Sequence, residues 1–401
     1  MALLVKRILK YWVNIFKNNI LYHFQKKYSL IILDNFYPHL LSGFRTAEFN
    51  FYLERFENTR AYTSGTAFSL LEKDGNFEKV KGTFSKQYPA NASKIVQFTG
   101  QRLKAKLCCS LFLDNTFNFL HVIERDKIPF MFTLYPGGGF LLNDKESNEK
   151  LRKILGSTFF RKVIVTTIVT KNYLLEKGFC SEDKIIFIYG VVTPVYKVQD
   201  DVSVFSKGSE QALNICFVAH KYMEQGRDKG YDVLIEVAQI LKASDSNILF
   251  HVVGNFNEMD IDVSNLSDRI HFHGQIANQK LSEFYKDMDI ILSPNSSNVL
   301  RKGAFDGFPT GSCIEAGLNG VAIFATDDLN QNIYFEDKKD ILIISKEPAE
   351  IAEKILEYHR DRLSLKEIAV NGCLKIKSLY NSDAQLEPRL MEIKRIIATT
   401  V

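Results

Sequence analysis

The 401-residue chain carries 51 lysines and arginines against 47 acidic residues, with 46% hydrophobic and 24% charged residues. That length exceeds one ordinary hydrophobic core and points to two domains, and the balance of apolar and charged residues excludes a disordered or fibrous chain. A formal net charge of +4 is too even to signal a nucleic-acid partner, and the six cysteines show no metal-ligand spacing, so they read as reduced thiols of a cytosolic protein without a metal centre.

Residues 1–27 hold Lys6, Arg7, Lys10, Lys17, Lys26 and Lys27 and no acid, interleaved with Trp12, Phe16 and several leucines and isoleucines. No apolar run there approaches the roughly 20 residues that span a bilayer, and lysines interrupt any signal-peptide core. The segment reads as a basic amphipathic helix, either lying on an anionic membrane surface or packed on its own domain.

Residues 28–198 alternate strand-like and helix-like stretches. Leu30–Leu33, Ile95–Phe98, Leu107–Leu111, Pro129–Leu134, Val163–Thr167 and Ile185–Ile188 read as strands, with helical segments such as Ala47–Phe56 between them. Such alternation argues for a parallel sheet covered on both faces. Ligands of these sheets bind at the carboxyl ends of the strands, where two loops fall: Leu41-Ser42-Gly43-Phe44-Arg45 and Tyr135-Pro136-Gly137-Gly138-Gly139-Phe140. Each reads as a plain turn or as a ligand loop; three successive glycines are entropically unfavourable where nothing approaches them.

Residues 199–211 are polar and without period, as expected of an interdomain linker. A second alternating series fills 212–347, with strands at Asn214–Ala219, Ile248–Val253, Ile270–Phe272, Ile290–Leu292, Val321–Ala325 and Ile341–Ile344. The tail, 348–401, has three helical stretches, Ala349–Arg362, Leu365–Tyr380 and Glu387–Ile397, and is expected to pack back toward the first domain. The fold class is α/β, two Rossmann-like domains with a helical C-terminal tail.

Two stretches of the second half carry chemistry. After its first strand, Lys221, Arg227 and Lys229 gather at the carboxyl end, either as a diphosphate clamp or as an ordinary solvated basic loop. Between its fourth and fifth strands runs DGFPTGSCIEAGLN, 306–319. Gly307, Pro309 and Gly311 allow a sharp turn, Thr310 and Ser312 suit a helix opening, and a helix N-terminus suits phosphate. Glu315 then stands where a carboxylate can accept from two sugar hydroxyls, or where an acid simply caps the helix. Neither a G-x-G-x-x-G after the first strand nor a Walker lysine motif occurs. The pairs Asp260 with Asp262 and Asp287 with Asp289 precede strands, the wrong end for a metal-bound nucleotide.

The runs ICFVAHK (215–221), DKGYDVLIEVAQIL (228–241), FHVVGN (250–255), IHFHGQI (270–276), LSEFYKDMDIILSPN (281–295) and DGFPTGSCIEAGLNGVAIFATD (306–327) together resemble the donor domain of the GT-B glycosyltransferases, in particular the retaining family four. In that family a pair of carboxylates brackets a glycine turn. Glu315 matches the second, whereas Gly307 stands at the first and Asp306 lies one residue further away; His220 stands where the family has an arginine. The resemblance implies two domains facing across a cleft and a retaining transferase without cofactor or metal. Such an enzyme moves a sugar from a nucleotide-diphosphate sugar to a glycan or lipid-linked acceptor, as in bacterial surface polysaccharide or lipopolysaccharide synthesis. It assigns Lys229, Lys221 and Arg227 to the diphosphate, Glu315 to ribose, Gln275 and Ile276 to the base, and Asp306, Gly307, Phe308, Pro309, Thr310, Gly311, Ser312, Ser42 and Gly43 to the donor. Arg45, Tyr135, Gly137 and Gly138 fall on the acceptor side, and His121 is either a cleft or a core residue. The implied location is the cytoplasm, with peripheral contact to the inner membrane face through 1–27. A sugar-nucleotide epimerase or hydrolase of the same fold and a non-catalytic membrane-associated scaffold are the alternatives.

Overall fold

Runs of aliphatic and aromatic residues separated by turn-forming loops build two parallel sheets. The computed structural model of the protein describes residues 26–68, 75–193, 211–244 and 247–400. The basic segment through residue 25 and the expected linker up to residue 210 lie outside the described residues. The first sheet contains β1 (Tyr28–Asp34), β2 (Thr59–Thr63), β3 (Ile95–Gln97), β4 (Ala105–Leu111), β5 (Phe130–Leu134), β6 (Phe160–Val165) and β7 (Ile185–Phe187), ordered β3-β2-β1-β4-β5-β6-β7. Along β1 the side chains alternate between faces: Ile31 and Leu33 enter one core, Leu30 and Ile32 the other, all fully buried. Strand β2 was not expected, because Thr-Arg-Ala-Tyr-Thr has no apolar run. It forms because β1 and β3 flank it on both edges, with Ile32 opposite Ala61 and Ala61 opposite Ile95.

The second sheet contains β8 (Leu213–Val218), β9 (Ile248–Val253), β10 (Ile270–Gly274), β11 (Ile290–Ser293), β12 (Ala322–Ala325) and β13 (Leu342–Ile343), ordered β10-β9-β8-β11-β12-β13. Four helices border the crevices: α1 (Gly43–Arg55) after β1, α2 (Leu113–Arg125) after β4, α3 (Tyr231–Lys242) after β8 and α4 (Gly311–Leu318) before β12. Strand order reverses between β1 and β4 in one sheet and between β8 and β11 in the other, and a crevice opens outside the carboxyl ends at each reversal. The domains also touch directly. Leu142 N–H donates to the Gly303 carbonyl at 2.9 Å, and Phe305 of the second domain joins the first-domain core beside Phe140, with ring centroids 5.8 Å apart.

The tail forms α5 (Pro348–Arg360), α6 (Arg362–Tyr380) and, after a short turn, α7 (Glu387–Thr399). Helix α5 closes the second-domain core, and α6 runs from that core to Tyr380 near Tyr189. Helix α7 sits on the first domain, where Ile393 and Ile396 share a core with Leu30, Phe49 and Leu107. Arg389 on α7 is fully buried, and its Nε lies 3.6 Å from Glu48 of α1. The Glu48 carboxylate also accepts from the hydroxyls of Tyr52 (2.8 Å), Thr133 (3.2 Å) and Tyr135 (2.9 Å). Among the described residues no helix is long and apolar enough to cross a membrane.

Removing one member of a buried ion pair strands the other charge. Arg389→Met should therefore cost about 3 to 5 kcal/mol in urea denaturation at pH 7, and adding Glu48→Gln should recover a large part of it. A single-variant loss below about 1 kcal/mol would show that the hydroxyls alone satisfy Glu48.

Candidate active site

The two crevices face each other across a cleft of about 430 Å³. On the second-domain side, the chain leaving β8 folds back so that Gly230, at φ +74°, lies against Pro294 of the loop after β11; a Cβ there would run into the Pro294 carbonyl. This close approach brings Lys229 beside Asp306. Their Nζ and Oδ2 are 2.6 Å apart, and Asn295 donates to the same oxygen at 2.7 Å. Beneath them Asp228 is buried, its nearer oxygen 3.9 Å from Lys229 Nζ and neither oxygen hydrogen-bonded. Burial raises the Asp228 pKa, and the lysine partly counters that.

Helix α4 opens directly onto the cleft. Thr310, Gly311 and Ser312 line it, no side chain caps the terminus and no acid lies in the first turn, so its N–H groups present partial positive charge. One turn on, Glu315 also lines the cleft, and burial pushes its carboxyl up to about 7. Gln275 and Ile276 lie at the end of β10, and Gly307 and Pro309 complete this wall. Ser42 and Gly43 border an adjoining cavity of about 170 Å³ together with Gly311, Ser312 and Glu315. His220 lines the cleft with its pKa lowered, first by burial and then by Lys229, which keeps the ring neutral at pH 7.

Other sequence candidates are placed elsewhere. Lys221 Nζ is held 2.6 Å from Asp260, and Arg227 is exposed; neither lines the cleft. Arg45 is buried, 3.6 Å from Asp34, with its guanidinium between the rings of Phe36 and Phe112 at 4.6 and 5.2 Å, and does not line the cleft. Tyr135 does line the cleft, but with its hydroxyl turned to Glu48. Gly137 and Gly138 do not line it. A Cβ at Gly138 would run into Phe112 and one at Gly139 into Asp114, so these glycines make room for the start of α2. Phe308 is buried, its carbonyl accepting from the Tyr189 hydroxyl at 2.6 Å, and His121 is exposed on α2. Asn295, Phe44, Phe112 and Thr167 also line the cleft. Phe44 falls in the loop 41–45 and Asn295 ends the run 281–295, but no motif marks Phe112 or Thr167, and only the strand order brings the four together.

Residues 203–372 match the family described as Glycosyl transferases group 1. Among solved structures, HepE of Anabaena in complex with UDP is similar at a TM-score of 0.65 and 12% identity, over 92% of this chain and 100% of that one. A glycosyltransferase from Rickettsia africae is similar at 0.63 and 16%, over 94% and 100%. Sucrose-phosphate synthase of Thermosynechococcus elongatus is similar at 0.59 and 14%, over 93% and 100%. No curated protein matches in sequence. The fold is thus GT-B, and the family match falls on its second domain and the helices that follow it.

The raised Glu315 pKa has a sign that stability measurements can read. The native state holds a proton that the unfolded chain releases near 4.5, so stability should fall as pH rises from 4.5 to 7 and level off above. A Glu315→Gln variant escapes this. Relative to wild type it should gain about 2 kcal/mol between pH 4.5 and 8, less than full burial would give because the carboxyl opens onto the cleft. A pH-independent difference between the two proteins would refute the shift.

Proposed function

We propose, from a group 1 glycosyltransferase domain set in a GT-B fold, that the protein moves a sugar from a nucleotide-diphosphate sugar to a glycan or lipid-linked acceptor with retention of configuration. The observation that carries this reading is the convergence, in one cleft at the β8/β11 reversal, of Lys229, the uncapped α4 terminus and Glu315. A leaving diphosphate gains negative charge as the glycosidic bond breaks. Fixed positive groups aimed at it stabilise that change without needing to reorganise. Glu315 accepts the ribose hydroxyls, Gln275 and Ile276 border the base, and the departing phosphate takes the acceptor proton. Donor affinity should then rise with pH through about 7, as Glu315 becomes the carboxylate that accepts both hydroxyls.

Asp306 takes part differently from a carboxylate at position 307. It pairs with Lys229 at 2.6 Å; when a diphosphate takes over the lysine, Asp306 is released and, still within reach of Asn295, turns to the sugar hydroxyls. UDP and UDP-glucose, with which HepE has been solved, are the first probes. Lys229→Ala should lower turnover by about 2 to 4 kcal/mol of transition-state stabilisation. Asp306→Asn should bind the nucleoside diphosphate more tightly, because the lysine is freed, while transferring sugar more slowly. Wild-type turnover in Lys229→Ala would remove the diphosphate role. Weaker UDP binding by Asp306→Asn would show that the carboxylate does not compete for the lysine.

A further inference from the structure

The two walls of the cleft differ in chemistry. The second-domain wall offers Lys229, Asp306, Asn295, Thr310, Ser312 and Glu315. The first-domain wall offers Leu41, Phe44, Phe112, Tyr135, Pro136 and Thr167, and no charged side chain among the described residues that line it. Phe44, Phe112 and Tyr135 form one aromatic cluster, with centroids 5.1 to 5.9 Å apart. The polar atoms nearest this wall turn away from it. The Tyr135 hydroxyl donates to Glu48 at 2.9 Å, and Arg45 lies behind Phe112, paired with Asp34. The Thr167 hydroxyl accepts from Thr170 N–H at 3.1 Å as a helix cap, which leaves its methyl toward the cleft. Opposite that methyl stands Gly307, whose Cβ, if it had one, would lie 3.8 Å from Thr167 Cγ2 and 4.0 Å from Pro136 Cγ. The second-domain backbone thus closes on Thr167 and Pro136 at Gly307, which leaves Leu41, Phe44 and Phe112 as the apolar part of the wall that does not meet it there.

We infer that the acceptor is an uncharged molecule that presents a C–H surface beside its reacting hydroxyl, seated on Leu41, Phe44 and Phe112. The inference rests on the glycosyltransferase reading for the word acceptor, and on the wall alone for the chemistry. A charged group placed there would lose its hydration and meet no partner, whereas burying C–H surface against rings is favourable. Two sources share this chemistry, the non-polar face of a sugar ring and the alkyl chain of a lipid-like aglycone.

The test measures dissociation constants by saturation-transfer NMR for methyl β-D-glucopyranoside, hexyl β-D-glucopyranoside and hexyl β-D-glucuronide, with UDP and UDP-glucose binding read separately by thermal shift. Hexyl glucoside should bind about tenfold more tightly than the glucuronide and, where the wall seats an alkyl chain, about tenfold more tightly than the methyl glucoside, a modest share of what burying the extra methylenes could give. Phe112→Ala should weaken it, and so should Leu41→Asp, a change at an exposed position that leaves the core intact. If the methyl glucoside weakens equally in Phe112→Ala, the surface seats a sugar face; if only the hexyl compound weakens, it seats an alkyl chain. Equal binding of glucuronide and glucoside, or a hexyl advantage unchanged in both variants, would overturn the inference. UDP-glucose binding with no hexyl advantage and a methyl glucoside unaffected by Phe112→Ala would overturn it too while leaving the glycosyltransferase reading in place. A hexyl advantage in a protein that stabilises with neither nucleotide would leave the wall as inferred and count against that reading.

Discussion

Parallel pairing constrains everything else in this molecule. Because all strands of a sheet point the same way, every loop that can reach a ligand leaves from one edge, and the only open place on that edge is where the strand order reverses. Here the β1/β4 and β8/β11 reversals look at each other across one cleft. The segments that meet there are therefore dictated by topology. The loops after β1, β4, β5 and β6 supply one wall, and those after β8, β9, β10 and β11 supply the other.

That arrangement needs the two sheets to stay in register with each other, and the tail contributes to this. Helix α5 belongs to the second-domain core, whereas α7 belongs to the first-domain core through Ile393 and Ile396. Between them Gln385 donates to the Tyr189 carbonyl at 2.7 Å, and the Tyr189 hydroxyl donates to the Phe308 carbonyl in the loop leading to α4. The Arg389 and Glu48 pair thus does more than fill a core. It orders Tyr135, whose ring forms part of the cleft wall, at one end of a bonded path that reaches the loop leading to α4 at the other.

The fold was largely legible because its signals are local and repeated. Buried strands such as Ile290–Leu292 and Leu30–Leu33 are short apolar runs bounded by polar loops, and a two-sided parallel sheet needs little more. Strand β2 escaped because its burial comes from neighbours, not from its own composition. At the site, the α4 loop and Lys229 were legible from backbone-turn chemistry and position. Lys221, Arg227 and Arg45 were placed correctly along the chain, but a strand-end position does not say which way a long side chain points. Asp260 and Asp34 decide that, and both are remote in sequence or partner a neighbouring turn. The triple glycine shows a related ambiguity: what approaches Gly138 and Gly139 is the protein's own Phe112 and Asp114.

The same side-chain directions set the electrostatics of the donor wall. With Lys221 and Arg227 turned elsewhere and His220 neutral, positive charge facing the cleft comes from Lys229 and from the α4 terminus. Lys229 itself is bracketed by Asp306 at 2.6 Å and Asp228 at 3.9 Å. In the proposed reaction a diphosphate at this lysine exchanges one anionic partner for another, and such an exchange yields little net free energy, since the lysine leaves one charge-assisted contact to make a second. In that reaction, affinity then comes from the uncapped N–H groups of α4 and from Glu315, whose carboxyl pKa is raised to about 7 by burial. Asp228, buried below the lysine with its nearer oxygen 3.9 Å from Nζ, gives that side chain a second anionic neighbour that Asp306 alone would not supply.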